Sequence, residues 1–342
     1  MLARNDFAVM LNANARRVTP EVRRRVAKFV APENLFFSHS EAESVDIVRE
    51  IADRKFPTVF TGGGDGTFIK FINDYAQETG LGGLKAPSDV ALRSNIGILH
   101  LGTGNAVAQI VSSRRFESDL ESFVHTKTSD CQALPLVRAE GQNFPFAGLG
   151  IDAEILNDYM SLKRGLGANR WLKPAIQSLG GYFAAFFGKT VGRRLSRAFT
   201  SQPRTEVRIT NLGDAAYILQ DGEPVKAYGK GEVLYEGPMT ATMFGTCPYY
   251  GHGLTILPYA MRRPGYFQLR MVKMGMMKAV AKLPSLWKGT YQGRDIYDWH
   301  VRQVKLEFNQ PVPYQYGGDA QGERTSLILE TAPLKVNLLR FV

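Results

Sequence analysis

Up to about Cys131 the apolar residues fall in two alternating rhythms. Short unbroken runs such as Phe7–Leu11 (FAVML) read as buried parallel strands. Leu35–Phe37, Thr58–Thr61 and Ile96–Leu101 read the same way. Between them the spacing becomes helical. Pro20–Phe29 is a basic helix-like stretch, Glu41–Arg54 places Val45, Val48, Ile51 and Ala52 on one face, Phe68–Tyr75 is helical, and a further helix begins near Ala106. Strands alternating with helices predict a parallel sheet with helices on its faces.

After Cys131 the pattern changes to short period-two segments: Thr205–Thr210, Ala215–Leu219, Glu232–Tyr235, Thr240–Phe244, Tyr266–Met271, Val304–Phe308 and Leu334–Leu339. Gly, Pro, Asn and Asp separate many of them, as in an antiparallel β-domain. One basic, helical stretch, Tyr159–Thr200, interrupts the series. The expected organisation is an α/β domain over 1–132 and a β-rich domain over 133–342, whose last strand or tail can return to the first domain.

Composition narrows this little. With 342 residues, 44% hydrophobic and 22% charged, the chain reads as an ordinary globular protein. Cys131 and Cys247 are far apart, and no CxxC or Cys/His cluster suggests zinc or a disulfide framework. No signal peptide is legible, and the most apolar stretch, Leu179–Gly188, is about half the ~20 residues that span a bilayer. A cytoplasmic protein is expected. The formal net charge of +10 favours anionic partners. His100, His252 and His300 are scattered and make no hydrolytic constellation.

The sharpest local signal is Val59–Thr67 (VFTGGGDGT), a strand running through Gly62, Gly63 and Gly64 into Asp65, Gly66, Thr67 and a helix. Glycines let a backbone turn sharply and approach a ligand closely. Their amides and the helix N-terminus then face one space, which suits a phosphate. Asp65 would repel a bare phosphate, so it fits a Mg²⁺, a water on Mg²⁺ or an acceptor hydroxyl. The plainer reading is a glycine turn with Asp65 or Thr67 capping the helix.

GGDGT at a strand–helix junction resembles the superfamily of diacylglycerol kinases, sphingosine and ceramide kinases, bacterial lipid kinases and, more distantly, NAD kinases. Gly97–Ala108 (GILHLGTGNAVA) resembles the lipid kinases' "GTgN" stretch at Thr103, Gly104 and Asn105, and Phe146–Glu154 (FAGLGIDAE) resembles their "GlGfDAev". The resemblance implies a three-layer α/β domain with a parallel sheet, of the NAD kinase and diacylglycerol kinase type. It also implies a C-terminal antiparallel, sandwich-like β-domain, with ATP between the two. NAD kinase is the weaker match, because its Asn-Glu pair is missing.

Within that resemblance Lys163–Trp171 (KRGLGANRW) is similar to a sphingosine kinase stretch whose arginines reach the nucleotide phosphates, here Arg164 and Arg170. The family's "NPkSG" stretch is reduced to Asn12 followed by ANARR, Ser38 sits where the family has a nucleotide-contacting Thr, and Asp152 and Glu154 either lie near the lipid headgroup by resemblance or are buried structural carboxylates. The chain also departs from the family. Its C-terminal "DGE" is replaced in Gln315–Glu323 (QYGGDAQGE), with Gly317 for the Asp and Asp319 for the Glu. Asp65 or Asp319 would then serve as catalytic carboxylate. The family's "GDGTlnE" Glu is Lys70, and the acids of its Mg²⁺-holding loop are gone from Pro258–Gly265 (PYAMRRPG), so no structural metal is expected and Mg²⁺ should come only with ATP.

The resemblance implies an ATP-dependent lipid kinase acting on diacylglycerol or a related lipid, such as a sphingoid base. The alternatives are a catalytically weak or inactive nucleotide- or lipid-binding pseudokinase and, behind it, an NAD kinase. Nine Lys and Arg between Tyr159 and Arg204, interleaved with Trp171, Tyr182, Phe183, Phe186 and Phe187, suit peripheral contact with an anionic membrane surface. Those aromatics fit a protein core equally well. Nucleic acid is not expected as a partner, and no motif reports oligomeric state.

Overall fold

The computed structural model describes residues 6–83, 90–102, 104–125, 130–151, 153–154, 204–251 and 253–341. The chain divides into two compact units. The first comprises Met1–Pro145, Tyr249–Leu254 and Thr331–Val342; the second comprises Phe146–Pro248 and Thr255–Glu330. The basic stretch expected to be helical, Tyr159–Thr200, lies outside the described residues. Among those described, no helix is long and apolar enough to cross a membrane.

The first unit opens with β1 (Phe7–Asn12), α1 (Pro20–Val26), β2 (Leu35–Ser38), α2 (Glu41–Asp53), β3 (Thr58–Gly63) and α3 (Asp65–Glu78). It continues with β4 (Val90–Ala91), β5 (Asn95–His100), α4 (Ala106–Ile110), α5 (Phe116–His125), β6 (Cys131–Ala139) and β7 (Gln142–Phe144). β1 lies between β2 and β3, β3 also pairs β5, and all three pairings are parallel. Phe7–Leu11 is buried throughout, which is why it reads as a continuous apolar run. Thr19 and Ser40 start α1 and α2 by accepting the amides of Val22 and Glu43. The rings of Phe7, Phe60 and Phe123 meet edge-on, with centroids 5.0–5.7 Å apart, and centre one core cluster. α3 buries Phe68, Ile69, Phe71, Ile72, Tyr75 and Ala76. Its polar side is tied down too, because Asn73 Oδ1 accepts the Asn143 amide at 2.9 Å.

The second unit holds β8 (Phe146–Gly150), β9 (Glu206–Asn211), β10 (Ala215–Gln220), β11 (Glu223–Gly229), β12 (Val233–Pro238) and β13 (Ala241–Gly245). β14 (Phe267–Val272), β15 (Ile296–Val301) and β16 (Gln303–Tyr316) follow, with two short helices, Met276–Ala281 and Leu283–Trp287, after β14. Antiparallel pairings run β11–β10–β15–β14–β13–β8–β16–β9–β12. The last strand, β17 (Asp319–Leu339), is hydrogen-bonded in both units. Up to Glu330 it pairs β16 antiparallel, and from Leu334 it runs parallel to β4 and β5.

Candidate functional site

The glycine-rich segment begins inside a strand. Gly62 and Gly63 end β3, in register with Leu11 of β1 and His100 of β5. A Cβ on Gly62 would lie 2.2 Å from Leu11 Cδ2, and one on Gly63 would lie 2.3 Å from Thr67 Oγ1. Gly64 is the residue before α3 and has no side chain to cap it, and Asp65 is the acidic residue of the helix's first turn. Thr67 is held from the neighbouring strand, since Asn12 Nδ2 donates to its Oγ1 at 3.0 Å. Asn12 Oδ1 accepts the amide of Asn14 at 2.9 Å. Ser38 is buried opposite Asn12, and its carbonyl accepts the amide of Ala13.

The second glycine segment closes on the first. Asn105 sits in the left-handed region (φ 52°) and folds back on Gly102, accepting its amide at 2.8 Å and donating to its carbonyl at 2.7 Å. A Cβ on Gly102 would stand 2.5 Å from Gly64 Cα and 2.8 Å from Gly63 O. The two loops therefore touch backbone to backbone. Asp65, the first residue of α3, turns its carboxylate onto the start of α4: Oδ2 accepts the Ala106 amide and Oδ1 the Val107 amide, both at 3.1 Å. Burial pushes this carboxyl above the usual range, and the amides of Ala106 and Val107 pull it back in part. The plainer sequence reading had Asp65 or Thr67 capping α3, whereas these hydrogen bonds of Asp65 go to the start of α4.

Asn12, Ser38, Gly62, Gly63, Gly64, Asp65, Gly66, Thr67, Gly104 and Asn105 all belong to the first unit. Thr103, Asp152, Arg164 and Arg170 lie outside the described residues. Glu154 and Asp319 belong to the second unit, the former buried and the latter exposed. Asp319 follows a two-residue turn in which Gly317 (φ 58°) and Gly318 (φ 85°) both have positive φ, so the family Asp is replaced where a tight hairpin favours glycine. Lys70 is ion-paired along α3 with Asp74 at 2.8 Å. Gly251 escaped the sequence reading. It belongs to the first unit, and a Cβ on it would lie 3.0 Å from Gly104 Cα. The only signal was a pair of glycines in Tyr249–Leu254.

The segment Pro258–Gly265 does not fit a structural Mg²⁺. The aligned acids are replaced by Tyr259, Arg263 and Pro264. The Arg263 guanidinium lies 3.8 Å from the Tyr217 ring centre and 4.9 Å from that of Tyr266. The Tyr259 amide donates to Gln268 Oε1 at 2.8 Å, and its carbonyl accepts from His300 Nε2 at 2.9 Å. Gln268 and Arg270, both buried, donate to the Asp298 carboxylate at 2.6–3.0 Å. A cation there would meet guanidinium and aromatic groups in place of carboxylates. Among the described residues no group of three or more His, Cys, Asp or Glu is arranged to hold a metal.

Comparison with known proteins bears on the first unit most directly. Residues 6–134 match the model of the diacylglycerol kinase catalytic domain. No curated protein matches the chain. Among solved structures, the fold is similar to that of a diacylglycerol kinase from Bacillus anthracis str. Sterne (TM-score 0.59, 14% identity, 98% of this chain and 96% of that one). A provisionally assigned diacylglycerol kinase of the same strain gives a TM-score of 0.62 at 17% identity, covering 98% of this chain and 97% of the other. A second such protein gives 0.59 at 16%, with the same coverage. At these identities the structural likeness speaks for the fold, and the sequence match speaks for the domain. The sequence match to the diacylglycerol kinase catalytic domain is thus confined to residues 6–134, and over the rest of the chain the likeness is one of fold.

Proposed function

We propose that the protein is an ATP-dependent lipid kinase that works from the cytoplasmic side at an anionic membrane surface. The observation that carries this reading is the N-terminus of α3, which has a glycine at its N-cap and is led by three consecutive glycines, within the segment that matches the diacylglycerol kinase catalytic domain. Such an end offers amides and a positive dipole to an anion. Gly62, Gly63, Gly64, Gly66 and Thr67 would hold the ATP phosphates, with Asn12 keeping Thr67 in place. Ser38, Thr103, Gly104 and Asn105 would complete the nucleotide site.

Mg²⁺ bound with ATP would neutralise charge on the phosphates. Arg164 and Arg170 would steady the transferred group, and Asp152 and Glu154 would orient the lipid hydroxyl, of diacylglycerol or a sphingoid base. Two carboxylates, Asp65 and Asp319, are offered for the acceptor proton. A loose phosphoryl-transfer transition state requires neither to be strongly basic.

The test is transfer of radiolabel from [γ-³²P]ATP to a lipid panel in anionic vesicles, with mass spectrometry of products. A labelled lipid whose formation falls at least tenfold in Arg170→Ala supports the reading. Nucleotide-dependent thermal stabilisation without product supports the pseudokinase alternative, which Gly317 motivates. Label on NAD⁺ and on no lipid would overturn both.

A further inference from the structure

We infer that Pro258–Arg302, in the second unit, is a docking surface for an anionic bilayer. The inference deepens the proposed function at its membrane end, and its test needs neither ATP nor turnover. The segment carries nine Lys and Arg against two Asp, a net charge of +7. Both acids are spent inside the fold. Asp298 is buried and accepts from Gln268 and Arg270, and Asp295 is ion-paired with Lys278. Arg262, Lys282, Lys288 and Arg294 are exposed, and among the described residues none of the four is ion-paired. Their charge is left for something outside the chain.

The cations lie on connected stretches of surface. The Arg262 guanidinium rests 4.9 Å from the Tyr259 ring centre, and those of Arg263 and Arg302 each lie 4.9 Å from that of Tyr266. The rings hold these groups in place without neutralising them. The chain leaving the second short helix returns to the same loop. A Cβ on Gly289 would lie 3.2 Å from Pro258 Cβ, and Gln292 Nε2 donates to the Tyr259 hydroxyl at 3.4 Å. Lys288 and Arg294 flank those contacts in the sequence.

A soluble polyanion would need the cations alone. The two short helices add a further pattern. Residues 276–288 read MMKAVAKLPSLWK, with apolar residues at 276, 280, 283 and 287 in helical spacing among Lys278, Lys282 and Lys288. Lysines interleaved with apolar residues and a tryptophan are the composition of a segment that lies in a membrane interface. Lys282 and Pro284 are exposed where the two helices join. This surface is separate in sequence from the basic stretch Tyr159–Arg204.

The experiment is co-sedimentation of the nucleotide-free full chain with vesicles of phosphatidylglycerol in phosphatidylcholine. Neutralising three exposed cations together, Lys282→Gln, Lys288→Gln and Arg294→Gln, should weaken binding about 100-fold, since each charge near the surface contributes about fivefold. Neutralising three exposed cations of the first unit, Lys28→Gln, Lys55→Gln and Arg115→Gln, should change it by about twofold at most, because attraction fades within a Debye length. Unchanged vesicle binding in the first variant overturns the inference, and loss of its heparin binding alone would assign the surface to a soluble polyanion. Equal losses in both variants overturn it too, reducing the attraction to net charge, as does failure of the wild type to sediment with the vesicles. None of these results bears on phosphate transfer, which is read separately with ATP.

Discussion

Gly102 has no room for a methyl group. Its Cβ would fall 2.5 Å from Gly64 Cα and 2.7 Å from Asn105 Oδ1, and backbone cannot step aside as a side-chain tip can. Gly102→Ala should lose about 1–3 kcal/mol in urea unfolding and loosen the paired loops. His300 is buried in the second unit, donating to the Tyr259 carbonyl. Burial holds its pKa below the ordinary value, with Arg263 and Arg262 adding to that effect and the Tyr259 bond and Asp298 opposing it. The folded chain therefore keeps His300 neutral where the unfolded chain takes up a proton. Its contribution to stability should be complete above pH ~6.5 and fall as the pH drops below that value. Denaturation of wild type and His300→Gln from pH 7.5 to 5.5 should show the slope flattened in the variant. Residues of this kind divide by how local their signal is. Gly62–Thr67 and Gly104–Asn105 stand in contiguous motifs and could be read directly. The engagement of Asp65 with α4 and the approach of Gly251 to Gly104 are contacts made by folding, which no local pattern encodes.

At the level of elements, the loop Pro258–Gly265 is held by Arg263 against Tyr217 and Tyr266, and by hydrogen bonds through Tyr259. Stacking of this kind contributes about 0.5–2 kcal/mol. Arg263→Ala should lower the melting temperature of the nucleotide-free protein, whereas EDTA should leave it unchanged. A chelator-sensitive melting temperature would count against this account of the loop. The buried runs β1, β3 and β5 were legible because strands covered on both faces must be apolar throughout. β11 was not, because it is exposed along nearly its whole length and alternates in nothing that water can sort. α5 was missed as well, though it buries Phe116, Leu120 and Phe123 at helical spacing. α3 was read as starting at Phe68, and it starts at Asp65, because Gly66 hides the first turn from a propensity reading.

On the scale of the whole molecule, the α/β-then-β texture was visible in the change of hydrophobic period near Cys131. The return of the last strand or tail was an expectation, but the partners of β17 were not legible, since a continuous strand of this length carries no mark of where they change. Leu334, Val336, Leu338 and Leu339 of its last part are at most 2% exposed in the first unit. Burying each such side chain contributes about 1.5–3 kcal/mol, against a total stability of about 5–15 kcal/mol for a domain. A chain ended at Glu330 should therefore lose its first unit. Limited proteolysis should cut within residues 6–145 of the truncated protein and spare them in the intact one.

The same thread of chain sets an order on assembly. The parallel sheet around β5 lacks a partner strand until residues far later in the chain have been synthesised. A nascent chain emerging from the ribosome can complete the antiparallel ladder of β8 through β16 before the parallel sheet is closed. The part made first is finished last, and its apolar flank needs shelter in the interval.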